Sequence, residues 1–187
     1  MSMDASGFDS TLRGAQEGAE WAWSKLYSWL AADLRGYIRA RGAHDPDAAL
    51  GDVFVQLAGG ISGFEGTAAG FRSWAFLIAH NRVIDQSRAR SRDKSVPTAP
   101  ESLPSVVDRL VVDAEVLDAM SAEELRGWLS DHLTADQLDV ILLRVFGGLT
   151  PSEIAETLGK EPGTVRVSQH RALAKLRTAL ATLGVTR

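Results

Sequence analysis

The chain has 187 residues and no cysteine, so neither a disulfide framework nor a thiolate metal site is available to it. Its four histidines, His44, His80, His132 and His170, are scattered without ligand spacing, so no metal and no cofactor is expected. No apolar run approaches the roughly 18 residues that a membrane span needs, so insertion in a membrane is not expected. The opening MSMDASGFDS has neither a basic start nor an apolar stretch, so no secretory signal is read there and a cytoplasmic location is expected. Sustained period-two alternation is missing as well. Without a strand signal, the fold class read from the chain is all-α.

What is present is helical spacing interrupted by turn residues. Apolar residues at Trp23, Leu26, Tyr27, Leu30, Leu34, Tyr37 and Ile38 recur at helical intervals, with a break expected near Gly18. Asp45-Pro46 predicts an N-cap followed by proline in the first turn, opening a helix with Leu50, Val53, Phe54 and Leu57 on one face. Asp47 and Asp52 fall off that face, and Gly59-Gly60 ends the helix. The glycine-rich ISGFEGTAAG follows, holding Phe64, which is either a plug into the local core or a stacking platform. Over residues 71–90 the reading is a helix with Trp74, Leu77, Ile78 and Ile84 inside, and Arg72, Asn81, Arg82, Asp85 and Arg88 largely outside.

Three prolines in SVPTAPESLPS mark a linker. The organisation expected is two small helical domains, residues 8–92 and 106–187, joined by a segment over 93–105. In the second, a helix is expected over 106–119. Two capping boxes, one opening at Ser121 and one at Thr134, start the next two. The last runs through Leu138, Ile141, Leu142, Val145 and Phe146 to Gly147-Gly148.

Residues 150–176, TPSEIAETLGKEPGTVRVSQHRALAKL, read as a helix-turn-helix. Thr150 caps, Pro151 takes the first helical position, and Glu153 completes a third capping box. Gly159 stops the first helix because a residue without Cβ enters the left-handed region cheaply. A second helix is expected from about Gly163, burying Val165, Ala172, Leu173, Leu176 and Leu180 and turning Arg166, Val167, His170 and Arg171 outward. In a helix of this kind, the N-terminal end meets base edges. An ordinary helical hairpin is the competing reading.

Net charge is −4, yet it is unevenly distributed. Residues 81–94 hold five basic and two acidic side chains, and residues 160–177 five basic and one acidic, while residues 95–139 hold ten acidic and two basic. Two basic patches around an acidic middle suit two nucleic-acid contacts.

Three stretches, two in the first half and one in the second, resemble the extracytoplasmic-function (ECF) sigma factors of bacterial RNA polymerase. FRSWAFLIAHNRVIDQSRAR is similar to the family's F-x-x-W-L-x-x-I-A-x-N-x-x-I-D-x-x-R-x-R, and DPDAALGDVF to its D-A-E-D-L-V-Q-E-V-F. GGLTPSEIAETLGKEPGTVRVSQHRALAKLR is similar to its E-G-L-S-Y-x-E-I-A-x-x-L-G-x-x-x-G-T-V-K-S-R-L-x-R-A-x-x-x-L-R. The resemblance covers about residues 12–92 and 115–182.

It implies a promoter-specificity subunit whose partners are core RNA polymerase, promoter DNA and, in many members, an anti-sigma protein. Phe64, Arg72, Trp74, Asn81, Arg82 and Arg88 would then handle melted minus-ten DNA. Thr150, Arg166, Val167, His170, Arg171 and Lys175 would meet minus-thirty-five duplex, with Lys175 on phosphate. Asp47, Asp52, Val53 and Phe54 would meet the polymerase. The polymerase-binding pattern is thinned, with Ala48 where an acid is usual and Gly51 where glutamine is. The rival reading is a free-standing helix-turn-helix regulator whose N-terminal half senses a ligand or dimerises. An enzyme on DNA would need a carboxylate cluster or nucleophile beside basic residues. Asp85 among arginines is the nearest candidate and reads as a surface ion pair.

Overall fold

In the computed structural model, which describes residues 5–92 and 122–182, helix α1 (Ala5–Gln16) turns at Gly18, φ +80°, into α2 (Glu20–Ala40). The break sits at Gly18, as the spacing predicts, because a positive φ there costs a glycine little. Buried Leu26, Leu30, Leu34, Tyr37 and Ile38 line the inner stripe of α2. Helix α3 (Pro46–Gly60) starts as read: the Asp45 carboxylate accepts from the Ala48 amide at 2.9 Å, and Leu50, Val53 and Leu57 are buried.

A short 3₁₀ turn, Ile61–Gly63, leads to α4 (Ala68–Arg92). This helix begins one turn earlier than expected, because Thr67 Oγ1 accepts from the Gly70 amide at 3.2 Å and caps it. Its buried side also differs from the reading. Phe71, Ala75, Phe76, Ile78, Ala79 and Val83 are buried, whereas Trp74, Leu77 and Ile84 are half-buried. The reason is that α4 has neighbours on two sides: α2 and α3 on one, and a helix of the second half on the other.

That second half comprises α5 (Ala122–His132), α6 (Ala135–Val145), α7 (Pro151–Leu158) and α8 (Pro162–Thr182). The helix expected over 106–119, the linker over 93–105 and the Ser121 cap lie outside the described residues. Among the described residues every regular element is helical. The capping boxes at Thr134/Gln137 and Thr150/Glu153 both form, each with its reciprocal pair of hydrogen bonds. Gly159, at φ +63° and ψ +40°, ends α7 in the left-handed conformation.

Helix α6 is the shared wall of the molecule. Residues 137–143 are all buried, seven in succession, so α6 has no solvent face over two turns. It packs on α7 and α8 on one side and on α2 on the other, and the buried residues of both halves form one continuous cluster. A helix covered all round is the usual signature of a core element rather than a surface one. Phe146, just past its end, lies against Gly36 of α2. A Cβ on Gly36 would overlap the Phe146 ring, with Cδ1 at 2.8 Å, so only glycine admits this approach.

Candidate nucleic-acid interface

Helix α8 is held by a buried stripe of Val165, Ala172, Leu176 and Leu180 against α6 and α7. Arg166, His170 and Arg171 stand on its opposite side. All three are exposed, and none has a hydrogen-bond or ion-pair partner among the described residues. Val167 beside them is 49% exposed, an apolar side chain left in water at the centre of a polar face. Two neighbours that the sequence groups with this face are engaged differently. Thr150 Oγ1 is taken up by its capping box, lying 2.7 Å from Glu153 Oε2. Lys175 Nζ donates to Gln137 Oε1 at 2.9 Å, tying α8 back to the start of α6.

The first-half candidates sit in a different environment. Phe64 is half-buried and stacks on Trp74, centroids 5.3 Å apart, while its edge meets Phe71 at 5.2 Å. Gln16 Nε2 donates to the carbonyls of Ile61 and Phe64, both at 3.1 Å, pinning this loop. Phe64 thus packs on the local core with one side of its ring and stays partly exposed on the other. Asn81 is exposed on α4 and lines a polar cleft of about 750 Å³ with Gln56, Arg82 and Arg88. The opposite wall of that cleft is residues 156–159, the end of α7 and its turn. Arg88 lies 3.8 Å from Asp85, an exposed pair, as read for that carboxylate.

Arg72 requires a correction. Instead of facing outward for DNA, it crosses to the second half. It pairs with Asp33 at 2.5 Å and donates to the carbonyls of Gly147 and Phe146 at 2.5 and 2.8 Å. Its guanidinium also lies over Trp29 and Phe76, 5.9 and 5.4 Å from their centroids. Two of its three guanidinium nitrogens, Nε and Nη2, are committed within the fold. The reason is positional: α4 is sandwiched, and Arg72 falls on the side that meets the end of α6.

Val53 is a second correction. It is 0% exposed and belongs to the core of α3, so it cannot touch a partner directly. Phe54 is half-buried and its ring lies tilted against that of exposed Tyr27, centroids 4.8 Å apart, and the adjacent Val55 is 73% exposed. Asp47 pairs with Arg35 at 2.8 Å, and Asp52 pairs with Arg82. The last contact joins a residue expected at polymerase to one expected at minus-ten DNA. Both ion pairs are largely exposed, so water competes for them and either partner can be recruited elsewhere.

The residues that sequence reasoning missed lie between the halves. Asp139, on buried α6, meets Arg41 Nε at 2.9 Å and His80 Nδ1 at 3.9 Å, and the Tyr37 hydroxyl lies 2.8 Å from the same His80 nitrogen. The Arg41–Asp139 contact is close but off the hydrogen-bonding direction. Burial therefore wins: desolvation pushes Asp139 up to about 6 against the lowering pull of Arg41. Burial, with Arg41 adding to it, lowers His80 to about 4. Burial and the nearby Asp139 raise Tyr37 well above its ordinary value, so Tyr37 keeps its proton and donates to neutral His80. One signal was visible beforehand: Asp139 is the lone acid inside the apolar run LDVILL.

Comparison with known proteins bears on both surfaces. Residues 129–176, from α5 to α8, match the family model "Sigma-70, region 4". The chain is 33% identical over 118 residues to the ECF RNA polymerase sigma factor SigD of Mycobacterium tuberculosis, covering 61% of this chain and 53% of that one. It is 32% identical over 127 residues to the ECF RNA polymerase sigma factor ShbA of Streptomyces griseus, covering 67% and 66%. The chain thus spans about half the length of SigD, the first of the curated relatives it matches. In fold it is similar to CnrH, solved in complex with the cytosolic domain of CnrY, with a TM-score of 0.66, 22% identity and coverage of 92% and 96%. Among the described residues no helix is long and apolar enough to cross a membrane.

Proposed function

The chain belongs to the extracytoplasmic-function sigma factors, and on that premise we propose that it binds core RNA polymerase and directs it to promoters. The observation that carries the reading is the α8 face. Arg166, His170 and Arg171 are exposed cations or donors without a partner among the described residues, on a helix braced from behind by Val165, Ala172 and Leu176. Arginine forks suit guanine edges and phosphate oxygens, and a rigidly backed helix presents them in fixed register. This face would read minus-thirty-five duplex.

The α4 surface around Asn81, with Arg82 and Arg88, would take melted minus-ten DNA. The Asn81 amide offers a paired donor and acceptor to an extruded base, and Phe64 with Trp74 offers an aromatic wall. Asp47, Asp52 and half-buried Phe54 on α3 would meet the polymerase, with exposed Val55 and Tyr27 widening an apolar patch there. The division into two units, 8–92 and 106–187, belongs to the same proposal, as does an anti-sigma partner.

Transcription in vitro with purified core polymerase on a promoter library tests the reading. The expected outcome is specific initiation that depends on this chain and is lost in Arg166→Ala/Arg171→Ala. Duplex binding without any association with core polymerase would instead identify a free-standing regulator.

A further inference from the structure

One residue on the outward face of α8 is not explained by the attraction of cations for DNA. Val167 is 49% exposed and stands among Arg166, His170 and Arg171. A lone exposed valine is ordinary on most surfaces, so its place on the helix decides what it means. Buried Leu176 lies nine residues on, about two and a half turns at 3.6 residues per turn, and is therefore diametrically opposite. Val167 is thus the outermost point of the face, not its rim. Arg166 and His170 fall to one side of it and Arg171 to the other.

Gly163, one turn before Val167, points the same way. A glycine in a helix costs stability relative to alanine. The packing does not ask for one here. Gly163 is exposed, its φ is not positive, and a Cβ built on it would meet no atom within 4 Å among the described residues. What the missing side chain does supply is room for an outside molecule to come close to the backbone.

The dimensions of duplex DNA connect the two residues. With its side chains a helix is about 10–12 Å across, and the major groove is about 12 Å wide and 8.5 Å deep. Only the centre of the outward face reaches the groove floor, while the residues beside it meet the walls. A valine side chain ends at Cγ, so it touches the floor only if the helix backbone approaches closely. The apolar group that a base pair offers there is the C5-methyl of thymine. The other groups are donors and acceptors, which a valine would strip of water without replacing it. Arg166 and Arg171 on the flanks complement the charge of the phosphates.

We propose that Val167 is a specificity-determining residue: it packs on the methyl group of a thymine in the minus-thirty-five element, and Gly163 lets the helix come close enough for the contact. Resting on the promoter reading, this adds a base that no arginine fork selects.

Deoxyuridine pairs as thymidine does and lacks only the methyl, so it isolates the contact. On a promoter recovered from the library with the full chain and core polymerase, each thymine of the minus-thirty-five element is replaced in turn by deoxyuridine, and holoenzyme affinity is measured. The expected result is one position at which uracil weakens the wild type roughly fourfold, the effect of one buried carbon. At that position Val167→Ala should bind the two templates equally. Gly163→Ala should melt no lower than wild type, because alanine is the better helix former, yet discriminate less between thymine and uracil. Uracil tolerated by the wild type at every position overturns the assignment of Val167 and leaves the promoter reading standing. So does a Val167→Ala protein that still tells thymine from uracil. A Gly163→Ala protein that discriminates as the wild type does overturns the close approach. A library from which no element is recovered overturns the promoter reading and the thymine contact together.

Discussion

Helices α4 and α8 look alike in sequence and differ in the fold. Each is among the longer helices, each carries a basic run, and each was assigned to DNA on charge and spacing. On α8 the outward cations Arg166 and Arg171 have no partner among the described residues. On α4, Arg72 is spent on Asp33 and two carbonyls, Arg82 on Asp52, and Arg88 on Asp85. Charge therefore locates a nucleic-acid surface only after internal partners have been subtracted. One helix keeps its outward cations unpaired among the described residues; on the other they are engaged within the fold.

The comparison breaks most visibly at Arg72. Arg72→Ala strips the α6 terminus and leaves the mostly buried Asp33 carboxylate without its guanidinium. Chemical denaturation should register a loss of about 2–4 kcal/mol, near the range for breaking a buried pair. Arg166→Ala, by contrast, should stay within about 0.5 kcal/mol of wild type in the same experiment. Equal losses would remove the distinction between the two helices.

Next in size is base reading by α8. Alanine at Arg166 or Arg171 should weaken specific duplex binding by about 1–3 kcal/mol and relax preference at one base pair, measured by titration on specific and random duplexes. Loss that is equal on both duplexes would mean that the helix holds phosphate only.

Acid titration probes the groups between the halves. His80 is held near 4, below its unfolded value of 6.5, so its contribution is present above pH 6.5 and lost as pH falls towards 4. Asp139 is held near 6, above 3.8, so it acts oppositely: the folded chain takes up its proton first, and acidification from pH 6 to 4 favours folding. The two nearly offset one another in the wild type. Asp139→Asn should unmask His80 and cost about 1–2 kcal/mol of additional stability, relative to wild type, between pH 6.5 and 4. Parallel pH–stability curves for the two proteins would disprove the opposition.

The smallest effect concerns the surface pair of α3 and α4. Asp52→Asn should change stability by less than about 1 kcal/mol, because both partners are substantially exposed. It should nevertheless weaken core polymerase in a pull-down. A large drop in melting temperature would make Asp52 structural.

Most helix starts were legible because caps are local. Asp45-Pro46, Thr134 with Gln137, and Thr150 with Glu153 each encode their own hydrogen bonds within four residues. The helix-turn-helix was legible for the same reason, down to left-handed Gly159. The register of α4 was not. Trp74, Leu77 and Ile84 read as core in place of Phe76 and Val83, because a helix with neighbours on two sides has no single apolar stripe to reveal its inside. Of the candidate site, the α8 face could be read from spacing alone. The engagement of Arg72 and the grouping of Asp139 with Arg41, His80 and Tyr37 could not, since those pairings span residues far apart in the chain and leave no periodic trace.

The twin capping boxes carry a kinetic consequence. Helices α6 and α7 begin with the same reciprocal pair of bonds, and each pair closes within a single turn. Starting signals of this kind need no distant partner, so the costly nucleation of each helix is eased before the chain has collapsed. The contacts they then make, among α6, α7 and α8, all lie within one continuous stretch of the chain, a low-contact-order arrangement that folds quickly. The expected order of assembly is the helix-turn-helix first and its docking on α2 and α4 afterwards. Stopped-flow refolding of Thr150→Ala should accordingly be slower, whereas Gly36→Ala should leave formation of this unit untouched.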